Sequence, residues 1–151
     1  MDVDADPVDR SVSLFRQGFT CSQAVLAAFS PRYGLDERTA LKVSCAYGGG
    51  VARCGEACGA VSGALMVIGL AHGKADDGDD AAKERTYALT RDFRERFRAR
   101  QGSLVCRELL GVDIGTPEGA KAAAERGLFR ERCPPLVRGA AEILVELLGD
   151  R

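Results

Sequence analysis

The apolar stretch from Ala57 to Ala71 limits what this chain can become more than any other segment. Three glycines and a serine interrupt it, and it falls short of the length of a membrane span. It reads instead as a helix over about Glu56 to Leu70. There Gly55, Gly59 and Gly63, four residues apart, leave one face nearly bare backbone. Each glycine costs roughly 1 kcal/mol of helix propensity against alanine, a cost that is offset only where another element packs very close. A buried central helix is expected.

The remaining segments also carry helical period. Val8, Val12 and Phe15 mark a first helix, with residues 1–7 expected as a flexible tail. Thr20-Cys21-Ser22-Gln23 has the form of a capping box for a second helix, roughly Cys21 to Phe29, which Pro31 and Gly34 end. Asp36 is the expected cap of a third helix running to about Cys45, and Gly48-Gly49-Gly50 a flexible loop. After the acidic loop KADDGDD, a long helix over about Asp80 to Gln101 presents Leu89, Phe93 and Phe97 at four-residue steps. Gly102 stops it, and Ser103 is read as the cap of a short helix through Leu110. Thr116-Pro117-Glu118 opens another helix. Cys133-Pro134-Pro135 is read as the start of the last one, with Val137, Ala140, Ile143 and Leu147 as its buried stripe. No alternating pattern long enough for a strand occurs. The expected fold is all-α: one compact domain, 1–151, of about six to eight helices.

Composition narrows the function. With 46% hydrophobic and 28% charged residues the chain can bury a core, and net charge −1 argues against nucleic acid as a partner. The arginines from Arg91 to Arg100 alternate with Asp92 and Glu95 and read as a solvated helix face. Asp76–Asp80 lacks the spacing of a calcium loop, and His72 is expected to face the C-terminal dipole or solvent. The acidic start carries no apolar run, so a cytoplasmic protein with no membrane insertion is expected.

Six cysteines in 151 residues are too few for a disulfide-built scaffold and too many to overlook. Cys21, Cys58, Cys106 and Cys133 each fall at or near an expected helix start, where free N–H groups and the helix dipole favour a thiolate. If those ends converge they form a pocket for negatively charged sulfur, free or metal-bound. The competing reading of each is a small core residue. Cys45, following Leu41 at helical spacing, is expected to be buried core. There is no C-x-x-C pair and no C-x-x-C-H, which excludes a thioredoxin-type motif and covalent haem. With a single histidine, a site of two cysteines and two histidines is excluded as well.

The runs GFTCSQAVLAAF, YGGGVARCGEACGAVSGALMVIGLAHG and GSLVCRELLG, with the late Cys133, resemble the C_GCAxxG_C_C proteins, a family labelled redox-active. The resemblance spans roughly Val8 to Leu147, and its four cysteines are Cys21, Cys58, Cys106 and Cys133. The family's G-C-A-x-x-G is rearranged here to Ala57-Cys58-Gly59-Ala60-Val61-Ser62-Gly63, and Cys45 and Cys54 fall outside the pattern. More distantly the arrangement is similar to the iron–sulfur part of split-Soret cytochromes c. The resemblance implies redox activity through cysteine.

Three functions follow as expectations. The first is an iron–sulfur cluster held by Cys21, Cys58, Cys106 and Cys133 for electron transfer or redox sensing, with Gly59 and Gly63 letting backbone approach it. The second is thiol–disulfide exchange, with Cys58 attacking and Cys54 or Cys21 resolving. The third is a structural zinc site of four thiolates in an interaction module, ranked last because zinc usually clips short loops with paired cysteines. Any turnover would be that of an oxidoreductase. The partner is then a redox protein of unknown identity, and a homo-oligomer is compatible with the sequence.

Overall fold

The computed structural model describes residues 5–149. Eight α-helices follow one another: α1 (Pro7–Arg16), α2 (Cys21–Phe29), α3 (Glu37–Ser44), α4 (Gly59–His72), α5 (Asp80–Gln101), α6 (Cys106–Leu110), α7 (Pro117–Glu125) and α8 (Leu128–Leu148). Short 3-10 turns follow α2 at Ser30–Tyr33 and α3 at Cys45–Tyr47. The fold is all-α, and among the described residues the only β pairing is a single bridge between Ala57 and Val105. No described helix is long and apolar enough to cross a membrane.

Local chemistry sets most helix starts. Thr20 accepts from the Gln23 amide while the Gln23 side chain accepts from the Thr20 N–H at 3.0 Å, closing the capping box at α2. Asp36 accepts from the Thr39 amide at 2.9 Å, Asp79 from Ala82 at 3.1 Å and Thr116 from Gly119 at 3.0 Å. Part of the expected tail is helix: Asp6 caps α1, Pro7 is its first residue, and Arg32 bonds the Ala5 carbonyl. Residues 1–4 lie outside the described residues.

The Thr39 amide, donating to Asp36, holds that carboxyl below the usual range. A depressed carboxylate pKa stabilises the fold above the ordinary carboxylate range, and the contribution is lost as pH falls through the lowered value. Asp36→Ala is therefore expected to lower the melting temperature at pH 7 and to lower it less as the pH falls into the acid range, as read by circular dichroism.

Helix α4 sits at the centre. Ala60, Ala64, Val67 and Ile68 are fully buried, among Phe29 of α2, Phe93 and Phe97 of α5, and Val137, Ile143 and Leu144 of α8. The Phe93 and Phe97 rings stack with centroids 5.9 Å apart. Each large apolar side chain buried in this way contributes about 1.5–3 kcal/mol. A Cβ on Gly63 would lie 2.6 Å from the Ser22 carbonyl oxygen, and one on Gly59 would lie 3.1 Å from the Ser22 nitrogen. The bare face thus meets the backbone of α2, as the small residues require. Gly55, expected on that face, lies outside the helix in a turn with φ +72°.

Helices α5 and α8 are also joined by surface ion pairs, Arg96–Glu146 at 3.0 Å and Arg100–Glu142 at 2.8 Å. Exposed pairs of this kind contribute about 1 kcal/mol or less. His72 ends α4, where its Nδ1 accepts from Arg85 Nε at 3.2 Å. Burial and the Arg85 charge hold its pKa below the usual value, so the imidazole is an acceptor and not a cation facing the helix dipole.

The last helix departs from expectation. It starts at Leu128 after Gly127, whose φ of 64° lets the chain reverse out of α7, and it runs through Pro134 and Pro135. Both prolines lie inside α8, and Cys133 is in its second turn rather than at its start. A proline near the beginning of a helix removes few intrahelical bonds. Here those are the bonds to the Arg130 and Glu131 carbonyls, both on exposed residues.

Candidate functional site

Four of the six cysteines come to one place by four different routes. Cys21 is the first residue of α2, behind the Thr20 cap. Cys58 is the N-cap of α4; its side chain closes no cap hydrogen bond, but the Ala60 and Val61 amides lie close enough to favour its thiolate. The close approach of α2 to α4 sets these two starts side by side, for a Cβ on Gly59 would lie 3.3 Å from the Cys21 Cβ.

Cys106 arrives by a short β pairing. The Cys58 amide donates to Leu104 at 2.9 Å, the Cys106 amide to Glu56 at 2.6 Å and the Arg107 amide to Gly55 at 3.1 Å, around the Ala57–Val105 bridge. Cys58 and Cys106 each follow a bridge residue, so the alternation of an extended pair puts both side chains on the same face. Val105 occupies the cap position of α6. Ser103, expected there, accepts from the Val105 amide and donates to Glu108 at 2.6 Å instead. Cys133 joins from the second turn of α8, its thiol within hydrogen-bond reach of Cys21.

The four sulfurs border a cavity of about 510 Å3 at the seam of two apolar clusters. Cys58 belongs to the main core, Cys106 and Cys133 to a smaller one with Leu110, Ile114 and Leu128, and Cys21 packs against both. Phe15, Leu109, Leu110, Phe129 and Leu136 complete the apolar wall. Cys58, Cys106 and Cys133 are buried and Cys21 is half-buried. All six cysteines are free thiols.

Burial governs the ionisation of this group. It pushes Cys58 up to about 11 against the two amides that favour the thiolate, and Cys106 up to about 12 with help from the neighbouring Cys58 and Cys133 charges. Cys21 keeps its proton well above the usual range because its thiol donates to Cys133, with burial adding to the effect. Cys133 is lowered by accepting that bond. The helix starts therefore do not by themselves yield thiolates, as the sequence had suggested. Desolvation outweighs the amide donors at Cys58, where the dipole argument is strongest.

A left-handed turn completes the lining, and a Cβ on its Gly50 would lie 2.7 Å from the Cys106 Cβ. Gly49 and Gly50 are followed by Val51, Ala52 and Arg53 with φ of 66°, 49° and 65°. Each non-glycine residue there costs roughly 1–2 kcal/mol, and for a β-branched valine the conformation is exceptional. Amide bonds from Val51, Ala52 and Arg53 back to Tyr47, Ala46 and Gly48 hold it, and from Gly55 and Glu56 to Gly49 and Gly50. This is the segment read from sequence as a flexible glycine loop.

The other expected site residues divide. Gly59 borders the cavity, while Gly63 lies one turn further along α4 against Ser22 and does not. Cys54 is exposed and off the cavity, so it is not placed to resolve a bond to Cys58. Cys45, expected in the core, is exposed on the cavity rim, because Ala40 and Ser44 take the buried face of α3. Sequence reasoning missed Cys45 and Arg53 as cavity residues. Three consecutive non-glycine residues in a left-handed conformation leave no signal by which to place them. Among the described residues no three His, Cys, Asp or Glu side chains are grouped closely enough to hold a single metal ion.

The family described as "Putative redox-active protein (C_GCAxxG_C_C)" matches residues 19–147, and the chain belongs to that family. No curated protein and no solved structure matches it significantly.

Proposed function

We propose that the cavity holds an iron–sulfur cluster on Cys21, Cys58, Cys106 and Cys133 and that the protein transfers electrons or senses redox state through it. The observation that carries this reading is the convergence of four thiols, from four separate segments, on one cavity with no carboxylate or imidazole in its lining. An all-sulfur donor set selects soft metals and iron–sulfur clusters over hard cations. Thiols buried with no cation among the groups acting on them bind such a group as thiolates, giving up their protons as it enters. The Ala60 and Val61 amides already aimed at Cys58 would remain as donors to its sulfur. When bound, the cluster supplies one-electron chemistry, and the apolar wall of Phe15, Leu110 and Leu136 limits water around it. Zinc is less well matched. A single tetrahedral zinc with Zn–S bonds of about 2.3 Å needs all its sulfurs roughly 3.8 Å apart, and among the described residues no three Cys, His, Asp or Glu side chains are grouped closely enough to hold one ion.

A thiol–disulfide function is favoured by one specific pairing, that of Cys21 with Cys133, whose ionisations push each other apart. In that reading Cys133, the thiol with the lowered pKa, attacks a substrate disulfide and Cys21 resolves the mixed disulfide, releasing two substrate thiols. Cys58, pushed up to about 11, is a poor nucleophile at neutral pH.

Differential alkylation separates the two. After anaerobic reconstitution with iron and sulfide, mass spectrometry should find Cys21, Cys58, Cys106 and Cys133 protected together, and Cys45 and Cys54 labelled. Protection of Cys21 and Cys133 alone, without iron, would favour the exchange reading.

A further inference from the structure

We propose that the cysteine cavity admits a small anionic reactant, a carboxylate- or phosphate-bearing molecule, which Arg53 and the amides of Gly49 and Gly50 hold at its mouth. This deepens the redox reading of the cavity but does not depend on a cluster being the group inside.

The lining has two unlike parts. One is four thiols and apolar side chains, and the other is the left-handed turn with Thr20 and Cys45. Arg53 is the only charged residue among those that line it. Its guanidinium makes no ion pair or hydrogen bond with any described residue, although the arginines on α5 and α8 find acidic partners at positions 96, 100 and 138. Nor is its charge used on the thiols, because no cation contributes to the ionisation of Cys21, Cys58, Cys106 or Cys133.

The backbone adds donors beside it. The amides of Val51, Ala52 and Arg53 are all bonded within the turn, whereas those of Gly49 and Gly50 reach no described acceptor. Both glycines line the cavity, and Arg53 Cγ would lie 3.0 Å from a Cβ on Gly49, so the Arg53 side chain leaves the backbone beside these donors. Successive amides in left-handed or turn conformation, next to a guanidinium, form an anion-binding concavity. The strain of the turn fits this role, since a relaxed loop would not hold Arg53 and the two amides on one wall. Cys45, exposed and on the same lining, marks where solvent enters.

Cys45 also supplies the test, because it stands outside the proposed cluster ligands and reads the mouth whether or not iron is held. The probes are iodoacetate, a small carboxylate, and iodoacetamide, its neutral counterpart, with labelling rates at Cys45 followed by peptide mass spectrometry. The neutral reagent corrects for any change in the ionisation of Cys45 itself. In the wild-type protein the iodoacetate-to-iodoacetamide rate ratio at Cys45 should exceed that of N-acetylcysteine amide by about tenfold. Inorganic phosphate should compete that excess away. Arg53→Gln should bring the ratio down to the small-molecule value, and Arg53→Lys, which keeps the charge, should retain most of it. An equal ratio in wild type and Arg53→Gln, a parallel change in both reagents, or an Arg53→Lys variant that behaves like Arg53→Gln would overturn the proposal. Colourless, iron-free protein that keeps the ratio would count against the cluster and leave the anion site standing.

Discussion

Gly63→Leu is expected to destabilise the fold by about 3 kcal/mol or more and to disrupt the cysteine site. Even the Cβ of an alanine would meet the Ser22 carbonyl oxygen at 2.6 Å and the Val25 Cβ at 3.2 Å. Helix α2 cannot retreat cheaply, because Ser22 Oγ donates to the Ser44 carbonyl at 2.8 Å and Gln23 Nε2 to the Leu41 carbonyl at 2.9 Å. Overpacking a tight contact typically costs about 1–3 kcal/mol, and a whole leucine against backbone belongs at or beyond the top of that range. Total stabilities are only about 5–15 kcal/mol, and separating α2 from α4 also separates Cys21 from Cys58. Gly69 is the internal control. It is in the same helix with nothing within 4 Å of its Cβ position, so Gly69→Ala should stabilise by about 0.5–1 kcal/mol. Thermal melts and soluble yield read both. A Gly63→Leu protein that melts like wild type would mean that α4 and α2 are not in backbone contact.

The second large effect concerns the thiols. Serine at any one of Cys21, Cys58, Cys106 or Cys133 is expected to remove most bound iron and visible absorbance, because a cluster held by four thiolates loses a ligand in each case. Serine at Cys45 or Cys54 should change neither, since one stands on the rim and the other off the cavity. Melting curves measured without iron separate ligand loss from misfolding. If only Cys21→Ser and Cys133→Ser have any consequence, and that consequence is loss of disulfide exchange, the four thiols do not act as one ligand set.

The sequence made the helices legible wherever local chemistry dominates. The Thr20–Gln23 box, the Asp36 cap and the Phe93–Phe97 stripe are short-range patterns, and each stands in the structure as the pattern implied. The close approach at Gly63 was readable for a related reason, as only a neighbouring backbone justifies glycine in so apolar a helix. What failed needed long-range information. Pro134 and Pro135 ordinarily open a helix, and nothing local reveals that α8 begins at Leu128 because Gly127 turns the chain there. Cys45 follows an apolar stripe, yet tertiary packing turns Ala40 and Ser44 inward and leaves the thiol on the rim. The pairing that aligns Cys58 with Cys106 joins segments 48 positions apart through one bridge, too short for any alternation to register. Cys21, Cys58 and Cys106 stand at helix starts as their local patterns implied, whereas Cys133, which the family pattern also marks, lies in the second turn of α8. The high proton affinities of Cys58 and Cys106 were hidden, since burial is a property of the assembled core.

The central claim is that these four thiols act together on one polynuclear group. The most direct test is the iron and acid-labile sulfide content of protein purified without oxygen, taken together with its visible spectrum. Iron and sulfide in near-equal amounts, with broad absorbance that bleaches on reduction, is the predicted result. Colourless protein that remains free of iron and sulfide after reconstitution, and that forms a reversible Cys21–Cys133 disulfide, would contradict it.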